Sequence, residues 1–406
     1  MSSISNPSPL STSSLEEWRQ EFLNSYSSVA DLIKNRLVSS QEAVQLNSLG
    51  ERFKVRITPY YANLMEPRVD CPIRLQAIPH LGEEDPVLPQ SFQDISQRIY
   101  QRSSPWHGDA IGDVKNLAVP RLTHRYENRA ILHLSSICAV YCRFCFRKSH
   151  LNDDEKTLYE GSLDEAIEYI GSHTEIRELI LTGGDPLSST DSVIRRLFER
   201  VSSIEHIRML RIHSRMAVTL PSRFTPALLD LFRKDWNFSL TLVSHFNHPQ
   251  EITYEARTAL KNLRKTGITL LNQSVLLKGV NSDFECLKTL FQTLYENGVI
   301  PFYLHHPDWT PGTFHFRISI DEGRKLYAQL KGHLSGPALP HYILDIPQGY
   351  GKIALSDPSL AKKIQSLVPD SLHSNSKIGG AIYELTPPTI RKPQNQPILY
   401  LDLYPC

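Results

Sequence analysis

From Ala130 onward the chain alternates between two hydrophobic periods. Short apolar or β-branched runs fall at 131–135, 178–182, 209–213, 239–244, 270–277 and 301–305. Between them apolar residues recur every three or four positions, at 163–172, 191–201, 226–232, 254–266, 284–297 and 321–334, and a last strand-like run follows at 342–346. Strand and helix alternating at roughly 30-residue spacing predict βαβ units that share a parallel sheet. Six repeats are fewer than the eight of a closed barrel. The expected fold is therefore α/β, a (β/α)6 partial TIM-type barrel spanning 121–355.

The regions before and after carry a different pattern. Ser14-Leu-Glu-Glu17 is a capping-box pattern that opens an amphipathic helix through Trp18, Phe22 and Leu23. Further helices are expected from about Ser28 and over 40–53. Prolines break the pattern at 57–61 and 71–79, and the Pro-, Asp- and Gly-rich stretch 80–120 reads as a loop wrapped over the barrel. The chain thus divides into a disordered Ser- and Pro-rich lead-in (1–14), a helical and loop N-terminal region (15–120), the barrel, and a short irregular C-terminal tail (356–406) with one late strand near 398–404.

Composition narrows the function classes. Lys plus Arg total 44 and Asp plus Glu 43, for a formal charge of +1. There is no basic block to hold nucleic acid. No apolar run approaches the roughly 18 residues of a membrane span. The lead-in has no Lys or Arg and no apolar centre, unlike a secretory or mitochondrial leader. Of six cysteines, Cys138, Cys142 and Cys145 fall within eight residues, and Cys71, Cys286 and Cys406 are isolated. Clustered thiols without a secretion signal point to a reducing, cytoplasmic setting.

Chemistry collects where barrel strands end. The C-x3-C-x2-C loop follows the first strand, and its thiolates can converge on one metal centre. A [4Fe–4S] cluster held by three thiolates leaves one iron open, whereas zinc would need a fourth ligand from a distant His or Asp. The second strand ends in Gly183-Gly184-Asp185, where glycines permit close backbone approach and the acid can accept from an ammonium group. Later strand ends carry Ser214-Arg215, His245 and His306-Pro-Asp308, and Gln273 lies within its strand. Thr123-His-Arg-Tyr-Glu-Asn-Arg129 offers guanidinium groups suited to phosphate. Lys352, after the Gly-containing loop past the last strand, has an amine that can form a Schiff base.

The loop Tyr141-Cys-Arg-Phe-Cys-Phe-Arg147-Lys, with Phe144 before the last cysteine, resembles the radical S-adenosylmethionine (SAM) superfamily, and within it the lysine 2,3-aminomutases. The resemblance extends over about 17–355 through several motifs in order. It implies that Cys138, Cys142 and Cys145 bind the cluster. It also implies that Gly183, Gly184, Asp185, Ser214, Arg215, His245, Gln273 and Phe144 surround SAM. Arg125, Tyr126 and Arg129 would grip the phosphate of pyridoxal phosphate (PLP), and Lys352 would be its Schiff-base lysine. Arg147 would pair with the substrate carboxylate, and Asp308 and Asp345 with the ε-ammonium of L-lysine. The implied reaction moves the amino group from C2 to C3 to give β-lysine. Glutamate or arginine as substrate, and an iron–sulfur redox or binding protein without isomerase activity, remain as alternatives. Partners implied are an amino acid and an electron donor such as flavodoxin or ferredoxin, with no nucleic acid and no membrane; a homo-oligomer is compatible with the pattern. The tail lacks the cysteine group with which some relatives hold zinc, so no zinc is expected. Gln348 and Tyr350 stand where the family loop has glycine.

Overall fold

The computed structural model describes residues 13–152, 158–367, 378–387 and 398–406. Most of the lead-in thus lies outside the described residues, and the first helix, Ser13–Leu23, includes Ser14 within it. Ten strands form one sheet in sequence order: β1 (Leu117–Val119), β2 (Leu122–Tyr126), β3 (Arg129–Ser135), β4 (Glu178–Gly183), β5 (Met209–His213), β6 (Ser239–Ser244), β7 (Thr269–Val275), β8 (Ile300–His305), β9 (His341–Ile346) and β10 (Gly351–Ala354). Strands β3 to β9 are all parallel neighbours, while β1 and β2 on one edge and β10 on the other run antiparallel.

Helices Leu163–Ser172, Asp191–Ser202, Pro226–Arg233, Tyr254–Arg264, Phe284–Glu296 and Ile320–His333 make the crossovers. Each starts where the sequence supplies an oxygen for an orphan backbone N–H: Ser162, Thr190, Thr225, Thr253, Asp283 and Ser319 all cap through their side chains. Each cap contributes about 1 kcal/mol. The helices bury their apolar faces on one side of the sheet, so Leu210, Ile212, Leu240, Leu242 and Leu270 join the main core. The alternate residues, such as Arg211, His213, Gln273 and His305, face the opposite way because strand side chains alternate. They line the inside of a curved sheet.

The two edges of that sheet come together. A Cβ on Gly112, before β1, would lie 2.8 Å from the carbonyl carbon of Gln348, and one on Gly349 would lie 2.7 Å from Asn116 Nδ2. The loop between β9 and β10 therefore seats against the segment leading into β1. Gln348 adopts φ 65°, a left-handed conformation in which glycine is unstrained and other residues cost about 1–2 kcal/mol. Tyr350 has an ordinary φ of −74°. Of the two replaced glycines, only the one at 348 thus carries a backbone cost.

Two stretches differ from expectation. Within 80–120 the chain forms a helix, Gln90–Tyr100, that buries Phe92, Ser96 and Tyr100 at every fourth position. Beyond β10 the tail is not irregular: β11 (Ala361–Leu367), β12 (Ile378–Leu385) and β13 (Ile398–Pro405) make a three-stranded antiparallel sheet. Of these, β13 is the late strand expected near 398–404, and it packs on the helix Gln90–Tyr100: Leu401 N–H donates to the Tyr100 hydroxyl at 3.0 Å. Tertiary packing of this kind leaves little local signal. No described helix is long and apolar enough to cross a membrane.

Candidate active site

The cysteine loop leaves β3 and is held from below by the N-terminal region. Arg143 is buried and donates to both carboxylate oxygens of Glu83, at 2.8 and 2.5 Å, and to the Lys54 carbonyl at 3.0 Å. Lys148 reaches the same carboxylate at 3.0 Å and the Gly312 carbonyl at 3.2 Å. Arg143 N–H also donates to the Gln76 carbonyl at 2.8 Å. Although Glu83 is buried, these two cations hold its carboxyl down to about 2. Bidentate, fully desolvated pairing of this type fixes geometry as well as charge.

The three thiols sit close enough to act on one another electrostatically. Burial raises all three, and the neighbouring cysteines raise Cys138 and Cys145 further, the latter to about 11. Arg215 donates to the Cys142 sulfur at 2.7 Å. Its remaining donors are held by Glu251 at 2.6 Å, Gln76 Oε1 at 2.7 Å, the Tyr61 hydroxyl at 3.1 Å and the His245 carbonyl at 3.2 Å. Among the described residues no three Cys, His, Asp or Glu side chains converge tightly enough to share a single metal ion. Three cysteines on one short loop suit a cubane, in which each sulfur binds a different iron. Soft thiolates are the appropriate donor set for it.

Beside the loop, β4 ends in the two glycines. A Cβ on Gly183, at φ +122°, would lie 2.5 Å from the Ser135 carbonyl oxygen, and one on Gly184 would lie 2.7 Å from the backbone of Ile137. No other residue lets this turn lie against the start of the cysteine loop. Asp185 follows, accepting from Ser214 Oγ at 3.0 Å, the Arg215 amide at 2.7 Å and the Leu187 amide at 3.0 Å. Burial nevertheless raises its carboxyl to about 6. Phe144 packs its ring 5.5 Å from that of His245, whose buried Nε2 has no partner. Gln273, on the inward face of β7, is half-buried. The structure thus gathers Asp185, Ser214, Arg215, His245 and Phe144 around the cysteines, with an orphaned polar atom left for a ligand.

The second half of the site lies at β8 to β10. Lys352 is the register partner of Asp345 across the β9–β10 ladder, and its ammonium is ion-paired to Asp345 Oδ1. The other carboxylate oxygen accepts from His305 Nδ1 at 3.1 Å. Lys352 and His305 hold Asp345 well below the usual carboxylate range despite burial. Asp308, past β8, goes the other way: burial and the charge of Asp345 push it up to about 8. Arg125 contributes charge to both acids, which places β2 beside them through the curvature of the sheet. Its Nε is buried without a partner, and Arg129 stacks 3.8 Å over the Tyr126 ring. Cationic donors with an unfilled N–H, next to a primary amine, fit a phosphorylated carbonyl cofactor.

Arg147 links the two halves and shows what sequence reasoning missed. It is paired with buried Asp113, Nη2 to Oδ2 at 2.7 Å, and donates to Thr182 Oγ1 at 3.1 Å. Arg125 approaches the same acid at 3.8 Å. Asp113 sits in the stretch read as loop, and a single acid there carries no signal. Glu83, Gln76, Tyr61, Glu251 and His305 were likewise unmarked. The proline-broken stretches 57–61 and 71–79 were the available hint, since Tyr61 and Gln76 both come from them.

Comparison with known proteins finds relatives over most of the chain. Residues 132–287 match the family described as the radical SAM superfamily. An L-lysine 2,3-aminomutase of Fusobacterium nucleatum is 35% identical over 337 residues, covering 83% of this chain and 75% of that protein. One from Escherichia coli is 32% identical over 338 residues, covering 83% of this chain and 94% of that protein. A glutamate 2,3-aminomutase of Clostridioides difficile is 31% identical over 353 residues, covering 86% of this chain and 79% of that protein.

Proposed function

This chain belongs to the lysine 2,3-aminomutase family of radical SAM isomerases, and from that premise we propose that it is a PLP-dependent L-lysine 2,3-aminomutase that yields β-lysine. Cys138, Cys142 and Cys145 would hold the [4Fe–4S] cluster, and the shell of Asp185, Ser214, Arg215, His245, Gln273 and Phe144 would hold SAM. Arg125, Tyr126 and Arg129 would hold the PLP phosphate. When bound, the cluster and SAM supply one-electron chemistry, and PLP supplies a conjugated ring over which unpaired spin spreads.

The chain's own residues supply orientation. Arg147 presents a planar fork suited to a substrate carboxylate, and Asp113 keeps that fork turned inward. Lys352 brings the amine on which the cofactor is carried, from a strand rather than a mobile loop. Holding both reacting centres at fixed distance is what a radical transfer requires.

One observation carries the substrate assignment. Asp345 already binds a primary ammonium in this structure, that of Lys352, and Asp308 stands close enough to be perturbed by it. Once Lys352 is engaged with the cofactor, the same acids are free for the ε-ammonium of lysine. A glutamate side chain would meet the Asp345 carboxylate, of its own sign, with no cation to offset it there once Lys352 is engaged, which costs several kcal/mol in a closed pocket. The reading carries a cytoplasmic location and an electron donor of the flavodoxin or ferredoxin type. The test is anaerobic reconstitution followed by product analysis with L-lysine, L-arginine and L-glutamate. Exclusive conversion of glutamate or arginine would overturn the lysine assignment and leave the family intact.

A further inference from the structure

The C-terminal strand β13 reaches into the site region through one buried side chain. Arg317, fully buried, donates to the Leu403 carbonyl at 2.8 Å, the Tyr400 hydroxyl at 2.8 Å and Asp402 Oδ1 at 3.1 Å. From its other side it donates to the Pro307 carbonyl at 2.5 Å and meets His306 Nε2 at 3.3 Å. The Trp309 ring covers the guanidinium at 3.6 Å. Asp402 is fully buried too; its second oxygen accepts from the Ile320 amide at 2.8 Å, and His306 lies 3.5 Å from its first. His306, Pro307 and Trp309 are the residues on either side of Asp308. Among the described residues, no hydrogen bond holds the Asp308 carboxyl itself; burial and neighbouring charges act on it. Its position is therefore set by the backbone that the tail clamps.

We infer that β13 is a specificity element: Asp402, through Arg317, fixes the 306–309 segment and so sets where the Asp308 carboxyl stands opposite Asp345. Asp402, Tyr400 and Arg317 are positioning residues that touch no reactant. The inference rests on the reading of Asp308 and Asp345 as the lysine-recognising pair. A guanidinium with this many partners at once has one orientation, and removing a charged partner loosens it more than removing a neutral one. A carboxyl displaced by a fraction of an ångström loses a charge-assisted bond to the substrate ammonium while leaving the rest of the amino acid's contacts intact.

The test compares a ligand that needs the acid pair with one that does not. L-Norleucine has the α-amino and carboxylate groups of lysine and no ε-ammonium. Steady-state KM for L-lysine and Ki for L-norleucine would be measured on the cofactor-loaded enzyme for wild type, Asp402→Asn, Tyr400→Phe and Asp308→Asn. Iron and PLP content would be determined for each. Asp402→Asn is expected to raise KM for lysine about tenfold, and Tyr400→Phe less, with Ki for norleucine and both cofactor contents unchanged. In the Asp308→Asn background, Asp402→Asn should add nothing further, since both act through one contact. If Asp402→Asn proves too unstable to purify, Tyr400→Phe alone carries the test. Parallel changes in KM and Ki, or no change in KM, would overturn the inference. Should Asp308→Asn itself leave KM for lysine unaltered, the acid-pair reading fails first, a result distinguishable from failure of the tail's role.

Discussion

Lys352 and Asp345 stand opposite each other across the β9–β10 ladder and are ion-paired. An antiparallel hairpin fixes this relationship by register, so the amine arrives at the acid without help from a flexible loop. The first prediction follows from that placement. Borohydride treatment of the PLP-loaded enzyme should fix the cofactor on the peptide containing Lys352. Lys352→Ala should take up no covalent label and lose turnover, while its iron content stays at the wild-type level. Label on any other lysine would refute the assignment.

The cysteine loop gives the second. Serine is close in size to cysteine but offers a harder oxygen that binds iron poorly. Replacing Cys138, Cys142 or Cys145 singly with Ser should abolish the brown chromophore and reductive SAM cleavage together. Circular dichroism should remain near wild type, because the loop is anchored from Glu83 and Gln76 and not only through its sulfurs. A single variant that cleaves SAM at the normal rate would remove that cysteine from the ligand set.

Glu83 supports the third. Its carboxylate is ion-paired with both Arg143 and Lys148 beneath the cysteine loop. Glu83→Gln leaves two buried cations short of one countercharge, which costs about 3–5 kcal/mol. Chemical denaturation should show that loss. The sign of the pH dependence is also fixed: the carboxyl is held at about 2 against an ordinary 4.5. Its stabilisation is therefore complete above pH 4.5 and is lost as pH falls toward 2. Wild type should approach the variant in stability across that window, and parallel curves would contradict the account.

How far the sequence revealed this molecule depends on the range of each interaction. Strands and crossover helices were legible because period-2 and period-3.6 patterns are local, and because residues such as Thr190, Asp283 and Ser319 mark helix starts directly. The strand-end groups were legible because parallel topology carries consecutive strand ends to one side. Asp113, Glu83 and Glu251 were not, since a single acid has no periodicity and acquires meaning only from an arginine 34, 60 or 36 residues away. The late strand near 398–404 was legible, but the tail's link to the site was hidden for the same reason. Arg317 and Asp402 are 85 residues apart, and neither marks the other in the sequence. Gln348 shows the reverse case: the missing glycine was visible, but its cost depends on a backbone angle that only the structure supplies.

Asp308 provides the last prediction. Burial and the adjacent charge of Asp345 push its carboxyl up to about 8, with Lys352, Arg317 and Arg125 opposing the rise. The upward shift favours the protonated carboxyl in the free enzyme. An arriving ε-ammonium favours the carboxylate, so lysine binding must expel that proton. Affinity for lysine should rise with pH from 6 to 8 by up to about tenfold per unit, the slope of one proton, and level off above the free-enzyme value. Calorimetry at pH 7 in buffers of different ionisation enthalpy should report the released proton directly. Asp308→Asn should abolish the proton release, flatten the pH profile and weaken lysine by about 10²- to 10³-fold, while iron and PLP contents hold. In the absence of substrate the same shift acts on folding with the opposite sense. Ionising a carboxyl that prefers its proton in the folded state costs stability, so wild type should lose stability relative to Asp308→Asn as pH rises from about 4 toward 8. Lysine affinity independent of pH below 8, or an Asn variant that binds lysine normally, would remove Asp308 from substrate recognition.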